Sequence, residues 1–308
     1  GFATRLWPLT EHTAKPLLQL AGKPIISSLV EQLPPELPVI VSTNAVFGED
    51  FAAWRAEFAQ RDIEVFIEDS AGETQKTGAL AAIALVIERC GITEDVLVLA
   101  GDNYFGFDFD AFLSRCEGTP LLAACDIGIR EDAKRFGVVV PGEGTQIAAF
   151  QEKPDEPQST LVCTGCMFFP RRFLGEIAAY AREHNDDVGG IFEHFLATGE
   201  ACEFFRFTEP WFDIGSFGAF LQAQRHIIGE RVVDAGAMQS GHNSFAGSVY
   251  LGANVQVSNA VLENAIIEAG AIIRDASVRN SVVARNAVVS GVDLSGVALR
   301  ADSFVAAE

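Results

Sequence analysis

Two patterns of apolar residues divide this chain. Up to about residue 228, short runs of Val, Ile and Leu alternate with stretches of helical period. Leu37–Thr43 (LPVIVST), Ile63–Glu68, Asp95–Ala100 (DVLVLA) and Pro120–Cys125 are apolar runs of strand length. Runs of this kind fit strands covered on both faces. Helices are predicted between them over residues 49–60, 78–90 and 110–115. The alternation predicts an α/β domain built on a doubly wound, mainly parallel sheet, where ligands sit beyond the carboxyl ends of strands.

From about residue 235 the helical period vanishes. Stacked at a spacing of 16, the chain reads LGANVQVSNAVLENAI (251–266), IEAGAIIRDASVRNSV (267–282), VARNAVVSGVDLSGVA (283–298), then LRADSFVAAE. Leu251, Ile267, Val283 and Leu299 fall in one column, Val257, Ile273 and Val289 in a second, Leu262, Val278 and Leu294 in a third. Three inward aliphatics per repeat describe a triangular coil with a short strand on each side, the signature of a parallel β-solenoid. Residues 235–250 fit less well and read as a first, irregular coil. The expected domains are 1–228 and 235–308.

Composition narrows the chemistry. Forty-two acidic residues against 22 basic ones leave a net charge of −20, which argues against a nucleic-acid partner. No apolar run approaches the ~18 residues of a membrane span, so no membrane partner is expected and a cytoplasmic location is. The only lysines are Lys15, Lys23, Lys76, Lys134 and Lys153, and three of them precede proline. A chain this acidic that handles an anion must gather its few cations in one place. Cys163 and Cys166 have C-x-x-C spacing, but a zinc site needs a second pair or nearby histidines, so the six cysteines read as small buried residues.

Five clusters carry candidate chemistry. Gly1-Phe2-Ala3-Thr4-Arg5-Leu6 is a small-residue turn with an arginine, followed by Lys15-Pro16-Leu17. Backbone N–H groups at such a turn close on phosphate oxygens, and Arg5 and Lys15 add charge. Thr77-Gly78-Ala79-Leu80 is a small-residue turn into a helix, which lets backbone approach a flat base. Gly101-Asp102-Asn103 ends a strand on a carboxylate. Phe136-Gly137-Val138-Val139 precedes Phe150-Gln151-Glu152-Lys153-Pro154 and Thr164-Gly165. Trp211-Phe212-Asp213-Ile214-Gly215-Ser216 closes the domain. Asp102 and Asp213 supply the carboxylates that a Mg²⁺ ion bridging phosphates requires.

In this order, over residues 1 to about 225, the set resembles the sugar-1-phosphate nucleotidyltransferases, particularly their glucose-1-phosphate thymidylyltransferase-like branch. The resemblance implies a Rossmann-like doubly wound mixed sheet followed by a short left-handed parallel β-helix of hexapeptide type. It implies a reaction in which a nucleoside triphosphate, most readily dTTP or UTP, and a sugar 1-phosphate such as glucose 1-phosphate give a nucleotide sugar and pyrophosphate. Gly1, Ala3, Thr4, Arg5 and Lys15 would then hold the triphosphate, with Arg5 and Lys15 neutralising the departing pyrophosphate. Gly78 would pack on the base, and Asp102 and Asp213 would ligate Mg²⁺. Gly137, Glu152, Lys153, Thr164 and Gly165 would bind the sugar phosphate. In that family the opening loop follows a strand and further glycines, so residues are expected before Gly1. Thymidylyltransferases commonly carry Gln-Pro in the base-reading region; Glu73-Thr-Gln-Lys-Thr-Gly78 departs from it and leaves the base open.

Two other readings remain. A regulatory homologue whose solenoid drives assembly would have no need of Arg5, Lys15, Asp102, Lys153 and Asp213 together. An acetyl-transferring solenoid would want a general base, and His242 is the only histidine beyond residue 226. The tail is expected to serve assembly of a homo-oligomer, so that its removal changes oligomeric state before chemistry.

Overall fold

The computed structural model describes residues 3–68 and 77–307. The chain divides into two compact units. One runs from Leu29 to Trp211; the other joins the N-terminal segment up to Ser28 to the chain from Phe212 onward.

In the first unit, strands Val39–Asn44 (β1) and Ile63–Glu68 (β2) pair in parallel as a sheet of their own. A six-stranded sheet is built from Val96–Leu99 (β3), Leu121–Asp126 (β4), Gly137–Pro141 (β5), Ile147–Glu152 (β6), Leu161–Phe169 (β7) and Glu203–Phe207 (β8). Its order is β8-β4-β7-β5-β6, with β3 also beside β7. The α/β architecture is as expected, and the large sheet is mixed, as the family resemblance implies and not mainly parallel as the alternation alone predicts. β7 runs antiparallel to β3, β4 and β5, and only β4 and β8 pair in parallel. The cause is the β5–β6 hairpin, which reverses the chain before β7 enters the sheet. Its turn string Pro141-Gly142-Glu143-Gly144 interrupts the strand–helix rhythm that predicted parallel strands.

Both faces of the sheet are covered. β7 places Met167 and Phe169 in a core with Leu80 and Ile87 of helix Ala79–Arg89 (α1), Ile177 of Leu174–Tyr180 (α2), and Ile191, Phe192 and Phe195 of Gly190–Ala197 (α3). It places Cys166 and Phe168 in the opposite core with Phe105, Phe107, Phe109 and Phe112. Successive residues of one strand thus serve two cores, which explains its unbroken apolar run.

In the second unit, the solenoid strands Gln256–Ser258, Ile272–Arg274, Val288–Ser290 and Phe304–Ala306 stack in parallel with a constant offset of 16 residues. Met238–Ser240 makes the fifth strand of that face, but its offset to the next coil is 18. The expected columns point inward: Leu251, Ile267, Ile273, Val278, Val283 and Val289 are fully buried. The corners turn at left-handed residues. Asn254, Gly270, Asn286 and Asp302 form one corner, Asn259, Asp275 and Gly291 a second, and Asn264, Asn280 and Gly296 the third. Ordinary L-residues pay roughly 1–2 kcal/mol there, while Gly, Asn and Asp adopt the conformation readily. The corner side chains also link coils, with Asn259 Nδ2 donating to Asp275 Oδ1 at 2.9 Å and Asn286 Nδ2 to Asp302 Oδ1 at 3.1 Å.

The N-terminal segment is built into this unit. Leu6, Leu9, Leu18, Leu20 and Ile25 share a core with Phe220 and Leu221 of helix Phe217–Ile228 (α4) and with Ile266, Val282 and Ala284 of the solenoid.

Candidate active site

β7 changes partner midway along its length. Val162 pairs with Val138 of β5, whereas Cys166–Phe169 pair with Leu99–Val96 of β3. The sheet therefore opens at Thr164-Gly165, next to the carboxyl end of β3. The Ala100 N–H donates to the Gly165 carbonyl at 2.8 Å. Gly165 has φ of +79°, and a Cβ there would stand 2.8 Å from that of Ala100, so only glycine fits. Thr164 turns inward: its hydroxyl is buried and donates to the Ala123 carbonyl at 2.9 Å. It shapes the opening through the backbone.

Beyond β3 the chain reaches Asp102. Asn103 is buried behind it, donating from Nδ2 to Asp102 Oδ1 at 2.9 Å and accepting at Oδ1 from the Trp211 indole at 2.8 Å. The next residues are pinned by a phenylalanine cluster, in which the Phe107 ring lies 5.4, 4.8 and 4.7 Å from those of Phe105, Phe109 and Phe207. Trp211 in turn sets its ring edge-on to Phe136 at 5.4 Å.

Phe136 leads to the second cluster. Its carbonyl accepts from the Lys153 N–H at 3.2 Å, and Gly137 pairs with Glu152 across β5 and β6. A Cβ on Gly137 would stand 3.1 Å from Glu152 Oε2 and overlap the Phe150 ring; one on Gly189 would overlap that same carboxylate oxygen. Two glycines thus make room for one carboxylate. Lys153 is held at φ of +42° and its Nζ lies 2.9 Å from Glu152 Oε1.

The two partners are not equally served. Burial pushes the Glu152 carboxyl up from its ordinary value, Lys153 only partly offsets this, and Asp187 and Glu193 add to the rise. For Lys153 burial works downward, but the hydrogen bond and charge of Glu152, with Asp186 and Asp187, raise the ammonium overall. Lys153 is 61% exposed and Glu152 only 21%, so the acid carries the desolvation. Glu193 Oε1 also accepts the Glu152 N–H at 2.8 Å, and Asp187 Oδ1 accepts the Gly190 N–H at 2.8 Å.

Gly78 joins this group through residues 185–187. It has φ of +90°, and a Cβ would overlap the Asn185 carbonyl. That carbonyl accepts the Ala81 N–H at 2.9 Å, while Asp186 Oδ1 accepts the Ala79 N–H at 3.0 Å. The glycine is therefore required by a close backbone neighbour. Gly1 and the base-reading residues 73–76 lie outside the described residues.

The remaining predicted residues belong to the second unit. Ala3 sits in the left-handed region at φ 45°, and its carbonyl accepts from the Leu6 N–H at 2.9 Å and the Thr10 hydroxyl at 2.8 Å. Packing of Leu6 and Leu9 holds this otherwise unfavourable turn. It carries Thr4 and Arg5, both exposed, and leads to Lys15, half-buried at the start of a 3₁₀ turn. Asp213 ends a short strand. Gly215 lets its carboxylate lie 3.3 Å from where a Cβ would stand, Ile214 is core, and Ser216 caps α4 through the Ala219 N–H.

The Nucleotidyl transferase family model matches residues 1–230. The chain belongs to this family. A Bacillus anthracis protein assigned as a glucose-1-phosphate thymidylyltransferase, crystallised in complex with sucrose, shares the fold. The two superpose with a TM-score of 0.63 at 22% sequence identity, over 73% of this chain and 91% of that one. No helix among the described residues is long and apolar enough to cross a membrane. The six cysteines are free, and burial pushes the Cys163 thiol up to about 12, which leaves it inert.

Sequence reading passed over four contributors: Asn103, the indole of Trp211, Asp187 and Glu193. A signal for Asp187 existed. Asn185-Asp186-Asp187-Val188-Gly189-Gly190 sets carboxylates against paired glycines before an apolar helix, the same association seen at Gly137 and Glu152.

Proposed function

We propose that this nucleotidyltransferase acts on a sugar 1-phosphate, joining it to a nucleoside triphosphate. One phosphate oxygen of the sugar 1-phosphate bonds to the α-phosphorus. The bond from that phosphorus to the oxygen shared with the β-phosphate breaks, and pyrophosphate leaves with the electron pair. The observation that carries this reading is the continuous linkage from Asp102 through Asn103, Trp211 and Phe136 to Lys153 and Glu152. It gathers a phosphate-side carboxylate and a cation–carboxylate pair suited to a phosphorylated sugar.

Lys153 faces the sugar phosphate, and Glu152 accepts from sugar hydroxyls. Gly137 and Gly189 make room for the Glu152 carboxylate, and Gly165 for the close approach of Ala100. Ala3, Thr4, Arg5 and Lys15 are assigned to the triphosphate, where neutralising developing charge is most of the catalysis. Glucose 1-phosphate with dTTP or UTP is the pair the resemblance favours.

Carboxylates are the donor type Mg²⁺ takes. Among the described residues no three His, Cys, Asp or Glu side chains cluster to hold a metal by themselves. Mg²⁺ needs no such cage, since one or two carboxylates plus substrate phosphates suffice. Asp102 and Asp213 are the carboxylates assigned to it, and when bound it would neutralise phosphate charge.

Pyrophosphate release measured across four nucleoside triphosphates and a panel of sugar 1-phosphates with Mg²⁺ tests the proposal. At least one pair is expected to turn over, with Lys153→Ala raising KM for the sugar phosphate and Asp102→Asn lowering kcat. Silence from every pair would overturn the reading.

A further inference from the structure

We propose that Trp211 and Asn103 act as positioning residues that aim the Asp102 carboxylate at the divalent cation; this rests on the metal assignment above. The chemistry of the three groups allows one arrangement. An indole N–H only donates and a carboxylate only accepts, so the residue between them must accept on one side and donate on the other. A side-chain amide does both. Asn103 accepts from Trp211 Nε1 at 2.8 Å and donates to Asp102 Oδ1 at 2.9 Å. An aspartate at 103 would accept from the indole but repel Asp102, and a leucine would do neither.

Burial makes the relay rigid. Asn103 is 5% exposed and starts the strand Asn103–Phe105, whose Phe105 is 1% exposed and packs edge-on against Phe109. The Trp211 ring is fixed by Phe136 at 5.4 Å, and the Gly106 N–H donates to the Pro210 carbonyl at 2.8 Å, tying the two segments together one residue before the indole. With the amide plane fixed at both ends, the bond to Oδ1 restricts the rotation of the Asp102 carboxylate. Partners of this kind orient a metal-binding carboxylate, and losing one typically weakens metal affinity about 10–100-fold. The linkage also has a sugar side. Phe136 precedes Gly137, and its carbonyl holds the Lys153 backbone, so the aromatic contact that fixes Trp211 also borders the sugar-phosphate pair.

The test measures Mn²⁺ binding without turnover, by electron paramagnetic resonance of free Mn²⁺ in the presence of nucleoside triphosphate. Trp211→Phe keeps an aromatic ring beside Phe136 while removing the N–H together with part of the indole's bulk. It is expected to weaken Mn²⁺ binding about tenfold in a protein that still folds, with a lowered melting temperature because Asn103 Oδ1 loses its donor. Asn103→Ala is expected to do the same, and the double variant no more than either single one, because both break one relay. Additive losses would indicate separate structural roles and overturn the proposal, as would wild-type affinity in Trp211→Phe. Asp102→Asn separates the two levels of inference. If it leaves Mn²⁺ affinity unchanged, the metal assignment itself fails; if it weakens binding while Trp211→Phe does not, only the relay fails. Should Trp211→Phe not fold, the Trp7→Phe/Trp54→Phe protein leaves Trp211 as the sole indole. Its emission is expected to change with Mn²⁺ when Asp102 is present and not in Asp102→Asn; an unresponsive emission would reject the relay.

Discussion

Glu152, assigned above to the sugar, is disfavoured where it sits. Its carboxylate is desolvated between two glycines and shares its surroundings with Asp187 and Glu193, so its pKa lies above the ordinary value of 4.5. The folded protein therefore holds the Glu152 proton more tightly than the unfolded chain does. Stability falls as pH rises from 4.5 through the raised value. Glu152→Gln removes that charge while keeping its shape, and the Lys153 it leaves behind is exposed enough to be solvated. The variant is expected to melt above wild type at pH 7, with the gap closing as pH falls below 4.5. Its activity should move the other way. Losing a charged acceptor for a sugar hydroxyl costs about 1.5–3 kcal/mol, or about 10–100-fold in kcat/KM for the sugar phosphate. Melting curves and kinetics on one preparation check both signs. Glu152 and Lys153 were legible in the sequence because E-K-P stands among the other motifs. The glycines that make room for Glu152 were only partly so, since Gly189 lies 37 positions away and nothing local marks it as a neighbour.

At the scale of elements, the solenoid was the most legible part of the chain and the large sheet the least. Aliphatic columns spaced by 16 need only one rule, that three inward residues per coil fill a triangular core. The corners follow an equally strict rule. Asn264, Asn280 and Gly296 share a left-handed conformation because each closes the same turn one coil later. The sheet obeys no local period, because its mixed pairing depends on a hairpin inserted before β7. The corner rule makes a graded prediction. Asn264 accepts from the Ser248 N–H at 3.2 Å and donates to Asn280 at 3.4 Å, at φ 47°. Asn264→Gly loses the two bonds but keeps the conformation. Asn264→Ala loses both and adds roughly 1–2 kcal/mol of left-handed strain. Denaturant unfolding should rank wild type above the glycine variant and the glycine variant above the alanine one. An alanine variant as stable as the glycine one would show that the corner conformation costs nothing.

At the scale of the molecule, the sequence invites a division at residue 228, with a catalytic part before it and an assembly tail after. The compact units are drawn otherwise. The loop with Arg5 and Lys15 belongs with the solenoid, because Leu6, Leu9, Leu18 and Leu20 are buried against α4 and against Ile266, Val282 and Ala284. Local sequence could not reveal this, since those leucines read equally well as core of the first domain. The consequence is that removing 235–308 strips the support from the turn at Ala3, so chemistry should fail together with any change in oligomeric state. A finer comparison avoids gross truncation. Ile266 and Ile273 are both almost fully buried, 1% and 0% exposed, but Ile266 faces the N-terminal leucines and Ile273 faces only the solenoid interior. Replacing either by alanine costs roughly 2–5 kcal/mol. At a temperature where both variants remain folded, Ile273→Ala should keep wild-type kinetics. Ile266→Ala should raise KM for the nucleoside triphosphate and leave KM for the sugar 1-phosphate unchanged, because the slack it creates lies among the leucines adjoining Arg5 and Lys15 in sequence. Equal kinetics in the two variants would mean that the turn at Ala3–Arg5 holds its shape without this packing against the solenoid.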